Sequence, residues 1–377
     1  MEVESNHSLR LALCSNVFPA HDAAQAVESL DSSMRKVVAK LPQNVATNIS
    51  YGLYFSDLAS RQFVDSPQSF ADYAALLIEL NLKVTTANAF PFGDFRAAEV
   101  KEKAFLPDWR EQSRVDYTCR VADLLAQLAT SDNRLSISTC PFGYDAAAAC
   151  EQSITNVRLA VEHLQQLHQR TGKHIRLAFE AEPCACFSDS VVLIDYLATS
   201  FSDDERKYIG ICFDLCHSAV TDEDYQKVIA QAEQQNVTIA KVQISSALQR
   251  DSRLCSSSTG DLEQLADSAY FHQCLVDDML YADIAKVPTA TRAEGKTWRI
   301  HCHVPICYSD YGSGWLATEW RPAVEAARAA QIKDFEVETY TLSLLNTKFV
   351  KVKSVEECVA QEICAGFLAL GLDTDGG

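Results

Sequence analysis

Eight short runs rich in β-branched and aromatic residues, each followed by a longer stretch of helical periodicity, restrict the fold of this chain more than any other feature. They span 9–17, 48–55, 82–90, 134–140, 175–182, 208–214, 238–245 and 335–339. Strands that alternate with helices build βα units around a parallel sheet, and eight is the number that closes into a barrel. Intervening segments such as RVDYTCRVADLLAQLA and SITNVRLAVEHLQQLHQRTG place apolar residues at i, i+3 and i+4. The second of these closes on Gly172, and EWRPAVEAARAAQ carries Pro322 near its start, as helix ends require. A doubly wound sheet would show a glycine-rich first turn, which LCSNVFP lacks. The expected fold is therefore α/β, a (β/α)8 TIM barrel.

The 377 residues are long for one ordinary domain but fit a single barrel, 1–377, with insertions. Two connections are too long for ordinary βα loops: one after strand three, between Phe92 and Trp109, and one after strand seven, at about 247–320. The second contains RIHCHVPI, an extra strand-like run with His301 and His303. Loops of this length at a barrel mouth either cover a site or act as a dimerisation arm. The helix VEECVAQEICAGFLALG is expected beside strand eight, with a fraying tail after Leu372.

Charge narrows the partners. Fifty-one acidic against 33 basic residues give −18, which repels phosphate backbones and anionic lipid. The most basic stretches, 170–176 and 348–353, are broken by uncharged residues, so nucleic acid is not expected as a partner and a small-molecule metabolite is. Fourteen scattered cysteines, many inside apolar runs, read as reduced thiols of a cytoplasmic protein. The N-terminus does not resemble a secretory signal, and no run has the length of a membrane span.

Strand C-termini of a barrel converge on one mouth. Glu180 with Glu182, Asp214 with His217, Gln243, and Glu336 with Glu338 all lie at such ends. Side chains alternate along a strand, so the members of each glutamate pair share a side. Carboxylates buried together need a counter-charge, and Lys241, on the face of Gln243, is one lysine against several acids. Oxygens from Glu180, Asp214, Gln243 and Glu338 would hold a divalent metal, and a set without thiolates suits Mn2+ or Mg2+ better than Zn2+. The alternative is that these acids rim the mouth in solvent. His217 either contacts substrate or a ligand carboxylate, or merely caps the next helix. His301 and His303 share a face and either reach the metal or substrate, or are satisfied by carbonyls within a structural strand.

The order Glu, Asp-x-x-His, Gln, Glu resembles the xylose-isomerase-like barrel superfamily of sugar isomerases and epimerases. The hydroxypyruvate isomerase branch shares the glutamine, where ketose 3-epimerases carry histidine. More narrowly, CSNVFP, YGLYFS, NAFPFGDF with VKEKAFLPDW, ISTCPFGY, FEAEPC, FDLCHSAV, KVQISSAL, HVP and VETYT resemble the bacterial metabolite-traffic family EboE. That likeness implies traffic of a small metabolite together with other Ebo-pathway proteins, including a membrane partner. The superfamily likeness implies Glu180 over Glu182 and Glu338 over Glu336 as ligands. It further implies that Glu180 and Glu338 exchange a proton through an enediolate. His217, Arg250, His303, Glu182 and Trp109 would then bind substrate, with Phe90, Phe92 and Trp109 shielding it from water. A carrier that holds a metabolite in the same metal cup without turnover is the alternative. A barrel nuclease would need a histidine-rich zinc cluster and a basic face, and the charge argues against it.

Overall fold

Each expected strand forms, and together they close on themselves. The computed structural model describes residues 9–94, 101–129, 134–251, 272–292, 296–340 and 354–372. Seven barrel strands come in succession: β1 (Arg10–Cys14), β2 (Ser50–Tyr54), β3 (Lys83–Asn88), β4 (Leu135–Thr139), β5 (Ile175–Glu180), β6 (Ile209–Asp214) and β7 (Thr238–Ile244). The eighth, β14 (Asp334–Val337), follows an insertion with six strands among its described residues and pairs in parallel with both β7 and β1, which closes the ring. The helix Glu151–Thr171 stops where Gly172 takes a φ of 72°, and Arg321–Ala329 has its proline in the first turn.

Alternation along the strands separates two environments. Leu11, Leu13, Ile137, Val242, Phe335 and Val337 belong to the main apolar core. The opposite face is small or polar, and its side chains meet between neighbouring strands: Thr86 with Ser136, Cys212 with Gln243, and Lys241 with Glu336. The Lys241–Glu336 ion pair is sealed from water, with side-chain exposures of 1% and 0%. Gly52 leaves the space that the Glu336 carboxylate occupies; a Cβ there would collide with its Oε1.

The connection from β7 to β14 builds a second sheet. Strands β8 (Leu248–Asp251), β9 (Cys274–Val276), β10 (Met279–Tyr281), β11 (Thr297–Ile300), β12 (Asp310–Gly312) and β13 (Trp315–Ala317) run antiparallel in the order β10-β9-β11-β8-β13-β12. Val276, Trp298, Ile300 and Trp315 form its own core. Its base is stitched to the end of β7 by Val304 N–H to Ser246 O (2.9 Å) and Ala247 N–H to Thr318 Oγ1 (2.9 Å). The chain leaving β11 is thereby brought over the barrel mouth.

The helix Val355–Ala369 packs on β1 and β14 and buries Glu362. One oxygen accepts from Ile306 N (3.0 Å) and Thr339 Oγ1 (2.6 Å), while the other finds no donor among the described residues. Burial pushes this carboxyl up to about 7, against about 4.3 when unfolded. Between those values the folded chain holds a proton that the unfolded chain has released, so stability falls as pH rises through that window. Glu362→Gln is neutral at every pH and retains an acceptor. Calorimetry at pH 5 and pH 8 should show wild type losing more melting temperature than the variant, and equal losses would refute this account.

Among the described residues no helix is long and apolar enough to cross a membrane. The basic stretch 348–353 and the tail beyond Leu372 lie outside the described residues.

Candidate metal centre

Glu180 ends β5, Asp214 ends β6 and Glu338 sits one residue past β14, all on the inward face. One carboxylate oxygen from each lies within 4.8 Å of the others. Local structure aims them. Asp214 caps the helix Leu215–Val220 by accepting from His217 N (2.9 Å), and Ser245 Oγ donates to both its oxygens (2.9 and 3.0 Å). Glu338 Oε1 accepts from Asn16 Nδ2 (2.6 Å) and Asn88 Nδ2 (2.9 Å). Glu180 Oε2 is buried and has no hydrogen-bond donor among the described residues.

Three buried acids at this spacing resist joint ionisation. Burial, then Glu338, Asp214 and Glu182, push Glu180 well above the carboxylate range. Burial, then Asp214 and Glu336, push Glu338 up to about 8. The neighbouring ammonium of Lys241 is engaged by Glu336. An orphaned carboxylate oxygen among converging oxygens fits a hard divalent cation, which Glu180, Asp214 and Glu338 would hold.

Gln243 pairs in register with Asp214, but its Oε1 lies against Cys212 Sγ (3.0 Å), and its Nε2 has no partner among the described residues. Arg250 lies in β8 with its guanidinium over the Trp315 ring (5.4 Å), lining a different surface cleft. Trp109 is wholly buried and donates to Thr139 Oγ1 (3.2 Å), and Phe92 packs on Tyr117 (5.1 Å). Neither aromatic lines the pocket, whereas Phe90 does.

His217, His301 and His303 meet beside the carboxylates. Their Nε2 atoms are 3.1 Å (217–301), 3.3 Å (217–303) and 3.1 Å (301–303) apart. Each Nδ1 faces a carbonyl-type oxygen: Ala181 O at 3.0 Å, Gln273 Oε1 at 2.7 Å and Glu338 O at 3.2 Å. Glu182 Oε2 lies 3.1 Å from His217 Nε2, and Glu182 Oε1 accepts from Gln273 Nε2 (3.1 Å). Burial drives His301 well below its ordinary range and His303 down to about 4, and it raises Glu182 to about 7. For His217, burial alone would act downward, but Glu182, Asp214 and Glu338 hold it above its ordinary value.

These groups line a pocket with Phe90, Pro91 and Phe105 on its apolar side. Lys101 Nζ bridges to Asp283 Oδ2 (3.2 Å), joining the segment after β3 to the insertion over the pocket. Asn16, Asn88, Tyr340, Lys101 and Gln273 were not singled out from the sequence. Asn16, Asn88 and Tyr340 follow the strand-end rule and were within its reach; Gln273 lies in the insertion, where no pattern marks it.

No protein-family model matches the chain, and no curated protein does. Solved structures match nearly its whole length. D-allulose 3-epimerase from Methylomonas sp., in complex with D-allulose, is 12% identical over 96% of this chain and 97% of its own, with a TM-score of 0.51. D-psicose 3-epimerase from Clostridium cellulolyticum H10, with D-tagatose, is 10% identical over 96% and 98%, with a TM-score of 0.52. IOLI protein with a binding zinc atom is 11% identical over 96% and 98%, with a TM-score of 0.51. Nothing among these similarities supports the narrower EboE likeness. The chain has the closed eight-stranded TIM-barrel fold that these structures share.

Proposed function

We propose that this protein is a divalent-metal-dependent isomerase or epimerase of a small polyhydroxy carbonyl compound. The observation that carries this reading is the meeting of Glu180, Asp214 and Glu338 within 4.8 Å beside a pocket in which polar groups converge against the apolar wall of Phe90, Pro91 and Phe105, the make-up of a small-molecule site. The names of the structural neighbours supply the substrate class. A cation held by the three carboxylates would polarise a substrate carbonyl. Glu180 and Glu338 reach the pocket from β5 and β14, and one takes the proton from the carbon beside that carbonyl while the other returns it. Asn16 and Asn88 fix the orientation of Glu338, and Phe90 and Phe105 keep water away.

The histidine cluster would also suit phosphodiester chemistry. A net charge of −18 and a carboxylate-lined pocket disfavour a polyanionic substrate.

Metal-loaded protein is incubated in D2O with a panel of ketopentoses, ketohexoses and their phosphates. Deuterium entering the carbon beside the carbonyl, read by NMR, is the expected result. A panel with neither binding nor exchange would overturn the reading. The EboE likeness implies hand-over to a partner from the same pocket, and a sugar that binds without taking up deuterium would favour it.

A further inference from the structure

The geometry points to a second metal site, formed by His217, His301, His303 and Glu182 and taking a zinc-class divalent cation, beside the carboxylate set. It rests on the arrangement of the imidazoles and Glu182 and is independent of the reaction proposed above.

A carbonyl oxygen can only accept, so the Nδ1 contacts to Ala181, Gln273 and Glu338 place a proton on each Nδ1. The Nε2 atoms are then left as lone-pair donors, and all three point at one another across 3.1–3.3 Å. Glu182 Oε2, also an electron-pair donor, lies 3.1 Å from one of them. Four donors facing inward repel unless something accepts from them. A single extra proton on His217 would satisfy Glu182 or one neighbour, and the Tyr340 hydroxyl, 3.3 Å from His301 Nε2, can donate to that nitrogen, but neither draws three imidazole nitrogens to one point as a shared cation does.

A tetrahedral cation satisfies all of them. Zinc–imidazole bonds of about 2.0–2.1 Å place ligand nitrogens about 3.3–3.4 Å apart, close to the spacing observed. The outer contacts also fit, because metal-bound histidines donate their other N–H to carbonyls or carboxylates. Gln273 serves twice, accepting from His301 and donating to Glu182. Three imidazoles select zinc-class ions over Mg2+ or Mn2+, which the all-oxygen set prefers.

Asp214 stands between the two sets. Its carboxylate lies within 4.8 Å of donor atoms of His217 and His303, and equally of Glu180 and Glu338. A carboxylate shared in this way could serve both ions of a two-metal site, whose members lie about 3.5–4 Å apart. Two of the histidines come from the insertion, so this site exists only because the second sheet returns to the barrel mouth.

The test uses the full chain, stripped with a chelator and titrated with Co2+ while visible spectra and elemental content are recorded. Wild type should take up two ions per chain, one of them producing the intense visible bands of a tetrahedral, nitrogen-rich site. His301→Ala should bind one ion and lose those bands; Glu338→Gln should lose an ion and keep them. One ion per wild-type chain, or bands that survive His301→Ala, would overturn the proposal. Zinc-edge X-ray absorption on wild type carrying one equivalent of Zn2+ requires no variant. It should show three imidazoles, and an all-oxygen shell would overturn the proposal. No sugar turnover enters either readout, so these results stand whether or not the isomerase reading does.

Discussion

Glu338→Gln should lower the rate of solvent-deuterium exchange into a sugar substrate by about 10²–10⁴-fold, the usual contribution of a positioned acid or base. Glutamine has nearly the same shape, and its carbonyl can still accept from Asn16 and Asn88, which now donate to Glu338 Oε1. The pocket should therefore keep its form while losing one charge and one transferable proton. Loss of the ion alone would mimic this effect, so the assay is run across rising Mn2+ concentration. A rate restored by metal would assign Glu338 to holding the cation only; a rate that stays low at saturating metal is the expected outcome. Exchange unaffected by the substitution would remove Glu338 from the chemistry altogether.

Lys241→Met should destabilise the barrel by about 3–5 kcal/mol, because it strands a carboxylate where water cannot reach it. The Lys241 and Glu336 side chains are 1% and 0% exposed. Burial alone would push Lys241 down, but the Glu336 carboxylate outweighs it and keeps the ammonium charged. Glu336 has little room to turn away, since its carboxylate is packed against Gly52 in space that even a Cβ there would not share. The double variant Lys241→Met/Glu336→Met removes both charges, and most of the lost stability should return. Urea unfolding monitored by circular dichroism measures both. A single variant that loses less than about 1 kcal/mol would show the pair to be better solvated than its burial indicates.

Much of the site was legible because strand geometry is local. Period-two alternation placed Glu180 with Glu182, and Glu336 with Glu338, on common faces before any contact was known. The Asp-x-x-His spacing also has a local cause: Asp214 caps the helix whose third residue is His217, so both groups stay at the strand end. Capping therefore falls to the aspartate, and the histidine is left to face His301 and His303.

What could not be read was depth and return path. Alternation cannot tell which of two same-face glutamates meets a lysine; the register of β14 against β7 sets Glu336 beside Gln243 and within reach of Lys241, leaving Glu338 at the mouth. Arg250 stands only a few residues beyond a ligand strand, yet β8 turns into the second sheet and carries it to Trp315. Trp109 follows a mouth loop but is absorbed by the core because Thr139 and Phe179 receive its ring.

The amino-acid order by itself determined the eight-stranded ring and the inward-facing acids at its C-terminal edge, since both follow from side-chain alternation and strand–helix periodicity over a few residues. Only the tertiary structure decided that three imidazoles meet. His217 and His301 are 84 positions apart, and the antiparallel pairing of β11 with β8 and β9 alone swings the second back over the first. Contacts across such a separation depend on how a whole sheet packs, which no short stretch of sequence encodes.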